Sequence, residues 1–298
     1  MTITNLASDG LHGQVVALAA AAINYGPIDK NDLIAACAGT GDAARLRAAL
    51  ARWLEFGLFK EEADKISVIL ERKRGAPLEA ALDALPIVCR RLVLQQQHCL
   101  PLWGSGDDPT EKGVGRASDF ARGLSWALAQ DIYQIPNSAT GIESLERAQV
   151  TGARIIFQNH TRWPGLRSWA RYLGFATGDN DYLFDPTEVV RGELASIIGA
   201  GETMAATVFL DALSANVPVF DGGVYRQEVE ANLRIETWNR PPTGHLSTSL
   251  SMALRRMELD GTVILETKAD AGSVVKLTGR DQRAWTTFTH VRMAGIKE

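Results

Sequence analysis

No apolar run in this chain is longer than residues 15–23, too short for a helix that crosses a bilayer, which needs about 20 apolar residues. The N-terminus lacks the basic flank and cleavage pattern of a secretory leader, so the expected setting is cytoplasmic, without membrane contact. Cysteine is scarce. Cys37, Cys89 and Cys99 are odd in number and never spaced CxxC, which argues against a disulfide framework and a zinc site and leaves buried thiols as the expectation. The five histidines are scattered, and there is no GxxxxGK[ST], no HExxH, no GxSxG and no acid cluster spaced for two-metal chemistry. GVGRAS at 113–118 follows a polar stretch rather than a strand and lacks the third glycine of a dinucleotide fingerprint. His98 and Cys99 with Cys89 want a fourth ligand and read as helix core. The expectation is a protein that is not an enzyme and uses no cofactor and no metal.

What is present is a folded chain. Its 298 residues, 46% hydrophobic and 22% charged, suffice for two or three domains. A net charge of -4 argues against a strong non-specific polyanion binder. The charges are nonetheless patterned. Residues 148–178 hold no acid but carry Arg154, Arg162, Arg167 and Arg171, and a confined basic face is compatible with an acidic chain.

Periodicity and capping residues place the elements. Ser8 and Asp9 can cap a helix over 11–25 that Gly26 and Pro27 end, Asp29 caps a second over 31–38, and a third follows over 43–56. In the third, Leu46, Ala49, Leu50, Trp53 and Leu54 recur at helical spacing and form one buried stripe. Residues 58–60, a polar turn over 61–65 and residues 66–70 then read as a hairpin. Three helices followed by a hairpin is the winged-helix order, in which the third helix usually enters the major groove.

ARWLEFGL at 51–58 recurs as ARYLGF at 170–175, and the apolar spacing returns over 245–258 in Leu246, Leu250, Ala253, Leu254 and Met257. The fold class is therefore mainly α with small β-hairpin wings, built as three tandem winged-helix units. Unit 1 covers 1–75, connecting helices and a linker cover 76–115, unit 2 covers 116–190 and unit 3 covers 191–298. Unit 2 is assigned helices over 117–130, 142–149 and 163–175, a turn over 177–181 and a strand over 182–184. Unit 3 is assigned helices over 203–215, 224–233 and 245–258, with wing strands over 262–266 and 274–277. Residues 188–200 are read as a helix bridging the two.

Candidate DNA contacts cluster at the third helices. Arg45 and Arg52, seven apart, share a helix face, where phosphate contact and ordinary solvation fit equally well. In unit 2, His160, Thr161 and Arg162 lead into a helix carrying Arg167 and Arg171 four apart, and the positive end of the helix dipole favours phosphate there. The alternative is that His160 and Thr161 merely cap the helix. In unit 3, Arg240, Ser249, Arg255 and Arg256 lie in a stretch, 237–257, without acid. The expected partner is double-stranded DNA.

Three strings carry a resemblance: MTITNLASDG at 1–10, FARGLSWALAQDIYQIP at 120–136 and HTRWPGLRSWARYLGF at 160–175. Through them the chain resembles the DpdG proteins of bacterial 7-deazaguanine DNA-modification and restriction islands. That resemblance implies an accessory subunit of a phage-defence system, acting on DNA beside separate helicase and nuclease subunits, and it brings no catalytic residues. The competing reading, favoured by the net acidity, is a protein–protein scaffold whose winged helices bind partner subunits. A transcriptional regulator and self-association are compatible with the same text.

Overall fold

The computed structural model describes residues 3–4, 12–39, 43–104, 113–150, 152, 154–157, 162–269 and 272–295. The architecture is mainly α with small antiparallel sheets. No helix among the described residues is long and apolar enough to cross a membrane.

The N-terminal unit runs α1 (His12–Tyr25), β1 (Ile28–Asp29), α2 (Lys30–Ala38), α3 (Ala43–Glu55), β2 (Phe59–Glu62) and β3 (Lys65–Val68). Gly26 ends α1 at φ 70°, and the Asp29 carboxylate caps α2 by accepting from Asn31 N at 2.8 Å. The stripe read from sequence is the buried face of α3, with Leu46, Ala49, Leu50 and Trp53 all inside. β2 and β3 form the expected hairpin, and Ala63 and Asp64 take the left-handed conformation of a tight two-residue turn. The sheet has a third strand, β1, in the order β1-β3-β2. It escaped the sequence reading because two residues after a proline give no alternation to detect.

Three connecting helices follow, α4 (Leu78–Leu82), α5 (Leu85–Val93) and α6 (Gln96–Cys99). Pro86 sits in the first turn of α5, just after the break between α4 and α5.

The centre of the molecule is α7 (Ser118–Ala129), buried on every side and packed by α6, α9 (Arg162–Tyr172), α12 (Val224–Glu230) and α13 (Thr248–Leu259). A helix buried all round must satisfy its terminal carbonyls from neighbours, since no water reaches them. Here Ser249 Oγ donates to Leu128 O at 2.9 Å, Trp238 Nε1 to Ala129 O at 3.2 Å and Thr248 Oγ1 to Gln130 O at 3.3 Å. Trp126 Nε1 donates to Gln149 Oε1 at 2.9 Å, and Gln149 Nε2 to Gln130 Oε1 at 2.8 Å, tying α7 to the end of α8 (Ala139–Gln149).

In the C-terminal part, α10 (Thr187–Ile197) packs on α11 (Ala206–Asn216) and α13, and β4 (Thr203–Ala205), β5 (Val263–Glu266) and β8 (His290–Met293) form a sheet in the order β4-β8-β5. With α12 set aside, the order α10, β4, α11, α13, β5, β8 parallels α1, β1, α2, α3, β2, β3, with the same strand order. The helix expected over 188–200 is α10, and residue 190 falls inside it. One expectation is corrected. The return strand to β5 is β8, not residues 274–277, because β6 (Val275–Thr278) pairs with β7 (Ala284–Phe288) in a hairpin inserted between β5 and β8. Val291 wins that pairing by filling a fully buried position between Met204 and Leu265. In unit 2 the expected strand over 182–184 reduces to a single bridge between Thr177 and Leu183.

Glu146 on α8 yields a prediction. Its side chain is buried and Oε1 accepts from Ile156 N at 2.5 Å and Phe157 N at 2.8 Å. Burial raises its pKa above the ordinary 4.5, although these two bonds act the other way. A carboxyl raised in the folded state stabilises fully below its unfolded pKa, and that contribution is lost as pH climbs through the folded value. Glu146→Gln keeps the acceptor and removes the charge, so its thermal melts should lose that part of the pH dependence and lie at or above the parent at neutral pH. Glu146→Ala orphans two buried donors and should cost about 2 kcal/mol.

Candidate nucleic-acid interface

The eleven residues proposed from sequence fall into distinct environments. His160 and Thr161 lie outside the described residues. Arg52, Arg162 and Ser249 point inward. Arg52 is 8% exposed and pairs with Glu55 at 3.2 Å, and Arg162 pairs with buried Asp119 at 3.2 Å while donating to Thr4 Oγ1 at 3.3 Å. Ser249 is 1% exposed and serves the end of α7. The sequence reading missed this because arginine and serine read as surface residues unless their buried acceptors are known.

Arg167 and Arg171 share the outer edge of α9, but both are engaged with the turn that follows. Arg167 Nη2 donates to Asp179 O at 3.2 Å and its guanidinium stacks 4.3 Å from the Tyr182 ring centroid, while Arg171 forms an ion pair with the Asp179 carboxylate. Arg256 on α13 pairs with Asp185 and Arg255 with Glu258. Most of α13 itself is inside: Thr248, Ser249, Leu250, Ser251, Ala253, Leu254 and Met257 are buried. It therefore has no broad face to offer a groove.

The helix α3 is more exposed. Its outward side carries Ala44, Arg45, Arg47, Ala48 and Ala51, over which no acid intervenes, and the flanking Glu55 is paired with Arg52 and, at 2.8 Å, with Arg116. Small side chains between two arginines allow close approach of a backbone or base edge. Arg47 lies on the same exposed side, and Arg72, Lys73 and Arg74 form an exposed basic run after β3, three consecutive cations that are legible in the sequence.

Arg240 is exposed and lines a pocket of about 500 Å³ with Asp221, Arg226, Glu230 and His245. Arg226, 1% exposed, is held there by Glu230 at 2.5 Å and faces Asp221 at 3.4 Å, so the two carboxylates balance the buried guanidinium. Burial and, second, Lys276 keep the His245 imidazole below its usual pKa. The thiols of Cys89 and Cys99 are both raised by burial, Cys99 to about 12, which leaves them as core side chains rather than nucleophiles. Among the described residues no group of His, Cys, Asp and Glu is arranged to hold a metal ion.

A family model described as DpdG-like matches residues 1–271. No curated protein and no solved structure matches the chain.

Proposed function

The chain belongs to the DpdG-like family, a membership that suggests a role in the 7-deazaguanine modification system, and from that premise we propose that it is a non-catalytic accessory subunit contacting duplex DNA through α3. On this reading, α1 to β3 and α10 to β8 are two winged helices with different duties, and α7 to α9 are a degenerate third in which one bridge replaces the wing sheet. The last is turned inward to cap α7, whereas the first presents its third helix to solvent. The observation that carries the proposal is the exposed side of α3 over residues 44–51, where Arg45 and Arg47 stand among alanines.

The test is fluorescence anisotropy with a labelled duplex across a salt series. Binding should weaken steeply as salt rises, because each phosphate contact releases counterions. Absence of binding at low salt overturns the proposal.

A scaffold role for the middle and last units is favoured by the acids on Arg171, Arg255 and Arg256, which leave these surfaces close to neutral. Such a role predicts that other subunits of the system, helicase or nuclease among them, co-purify after nuclease treatment.

A further inference from the structure

Of the seven tryptophans six are buried, and Trp285 alone is exposed, at 42%. It stands on β7 just beyond a turn, 279–283, that joins β6 to β7. Two backbone bonds close this turn, Gly279 N to Arg283 O at 2.7 Å and Arg283 N to Arg280 O at 3.3 Å. Asp281 and Gln282 are left-handed, at φ 56° and 57°. Asp281 Oδ1 accepts from Gln134 Nε2 at 3.2 Å, which anchors the tip to the segment between α7 and α8. The indole sits on Gly279, where a methyl group would fall 1.8 Å from Nε1, and Tyr133 meets it edge-on at 6.4 Å. One part of the ring is thus seated and the rest faces water.

The adjoining turn carries two cations. Arg280 and Arg283 are exposed, and neither has an ion-pair partner among the described residues. Lys276 is half-buried on β6 opposite Thr287. The one acid over 272–295 is Asp281, whose carboxylate is held by Gln134. An exposed, seated indole next to a turn that carries two arginines suits a base with a free π-face and phosphates beside it. Duplex bases have no free face, since their neighbours cover them, so the fitting ligand is an unpaired nucleotide.

We propose that the tip of the β6–β7 hairpin is a stacking platform for single-stranded nucleic acid, with Trp285 receiving the base and Arg280 and Arg283 the backbone. This surface is separate from α3 and does not rest on the duplex reading. The test uses the full chain, with anisotropy on a labelled oligothymidine and on a blunt duplex.

Trp285→Ala should weaken single-strand binding about ten-fold and leave duplex binding unchanged, the size expected for one stacked base. Trp285→Phe should restore most of the loss. Gly279→Ala, which keeps the indole but blocks its seat, should behave like Trp285→Ala, with thermal melts confirming that each variant is folded. Arg280→Ala/Arg283→Ala should flatten the salt slope on the single strand by about 1.4, at about 0.7 per phosphate. The proposal is overturned by a parent that does not bind the oligothymidine, by a Trp285→Ala variant that binds it as the parent does, or by equal losses on both probes. Arg45→Ala/Arg47→Ala should affect the duplex alone, so failure of the α3 reading and failure of this one are told apart.

Discussion

Trp126→Ala should melt roughly 10 °C below the parent. The side chain is fully buried in α7 and meets Phe157 edge-on at 5.7 Å. Truncating a buried tryptophan costs about 3–5 kcal/mol in lost burial and cavity. A chain of this size shifts by about 2–4 °C for each kcal/mol. The indole N–H also leaves Gln149 Oε1 without its donor, and Gln149 is the link to Gln130 at the end of α7. A buried acceptor left unpaired adds about 1–3 kcal/mol. Trp126→Phe separates the two contributions, since it refills most of the volume and not the hydrogen bond, and it should fall between parent and alanine. Circular dichroism melts check this, and a parent-like melt for Trp126→Ala would show that α7 is not the centre of the core.

Arg45→Ala/Arg47→Ala should lower duplex affinity about thirty-fold near physiological salt. Two charge-assisted contacts are removed, each worth on the order of 1 kcal/mol once competition with water is counted, and 1.4 kcal/mol is a factor of ten. The same variant should reduce the slope of log affinity against log salt by roughly 2, at about 0.9 per phosphate. Stability should barely change, because both side chains stand on the solvent side of α3.

The α3 stripe, the end of α1 at Gly26 and the 59–68 hairpin were legible because each depends on neighbours in sequence. What stayed hidden depends on distant partners. The hydroxyl run Ser247, Thr248 and Ser249 reads as an exposed helix start, yet Thr248 and Ser249 satisfy carbonyls more than 100 residues away at the end of α7. Arg52 and Arg162 read as surface cations, and Glu55 and Asp119 are among the partners that draw them inward. The pairing of β5 with β8 skips a complete hairpin, so local spacing pointed to the wrong return strand. Arg45 stands out by spacing alone, while the packing that withdraws α13 and the acid that engages α9 show only in the fold.

The most direct test of α3 as the DNA-facing helix is a side-by-side salt titration of duplex binding by the parent, by Arg45→Ala/Arg47→Ala and by Arg255→Ala/Arg256→Ala. The account predicts a flatter slope and weaker binding for the α3 pair, with the α13 pair superimposing on the parent. Loss of binding in the α13 pair with the α3 pair unchanged would contradict it.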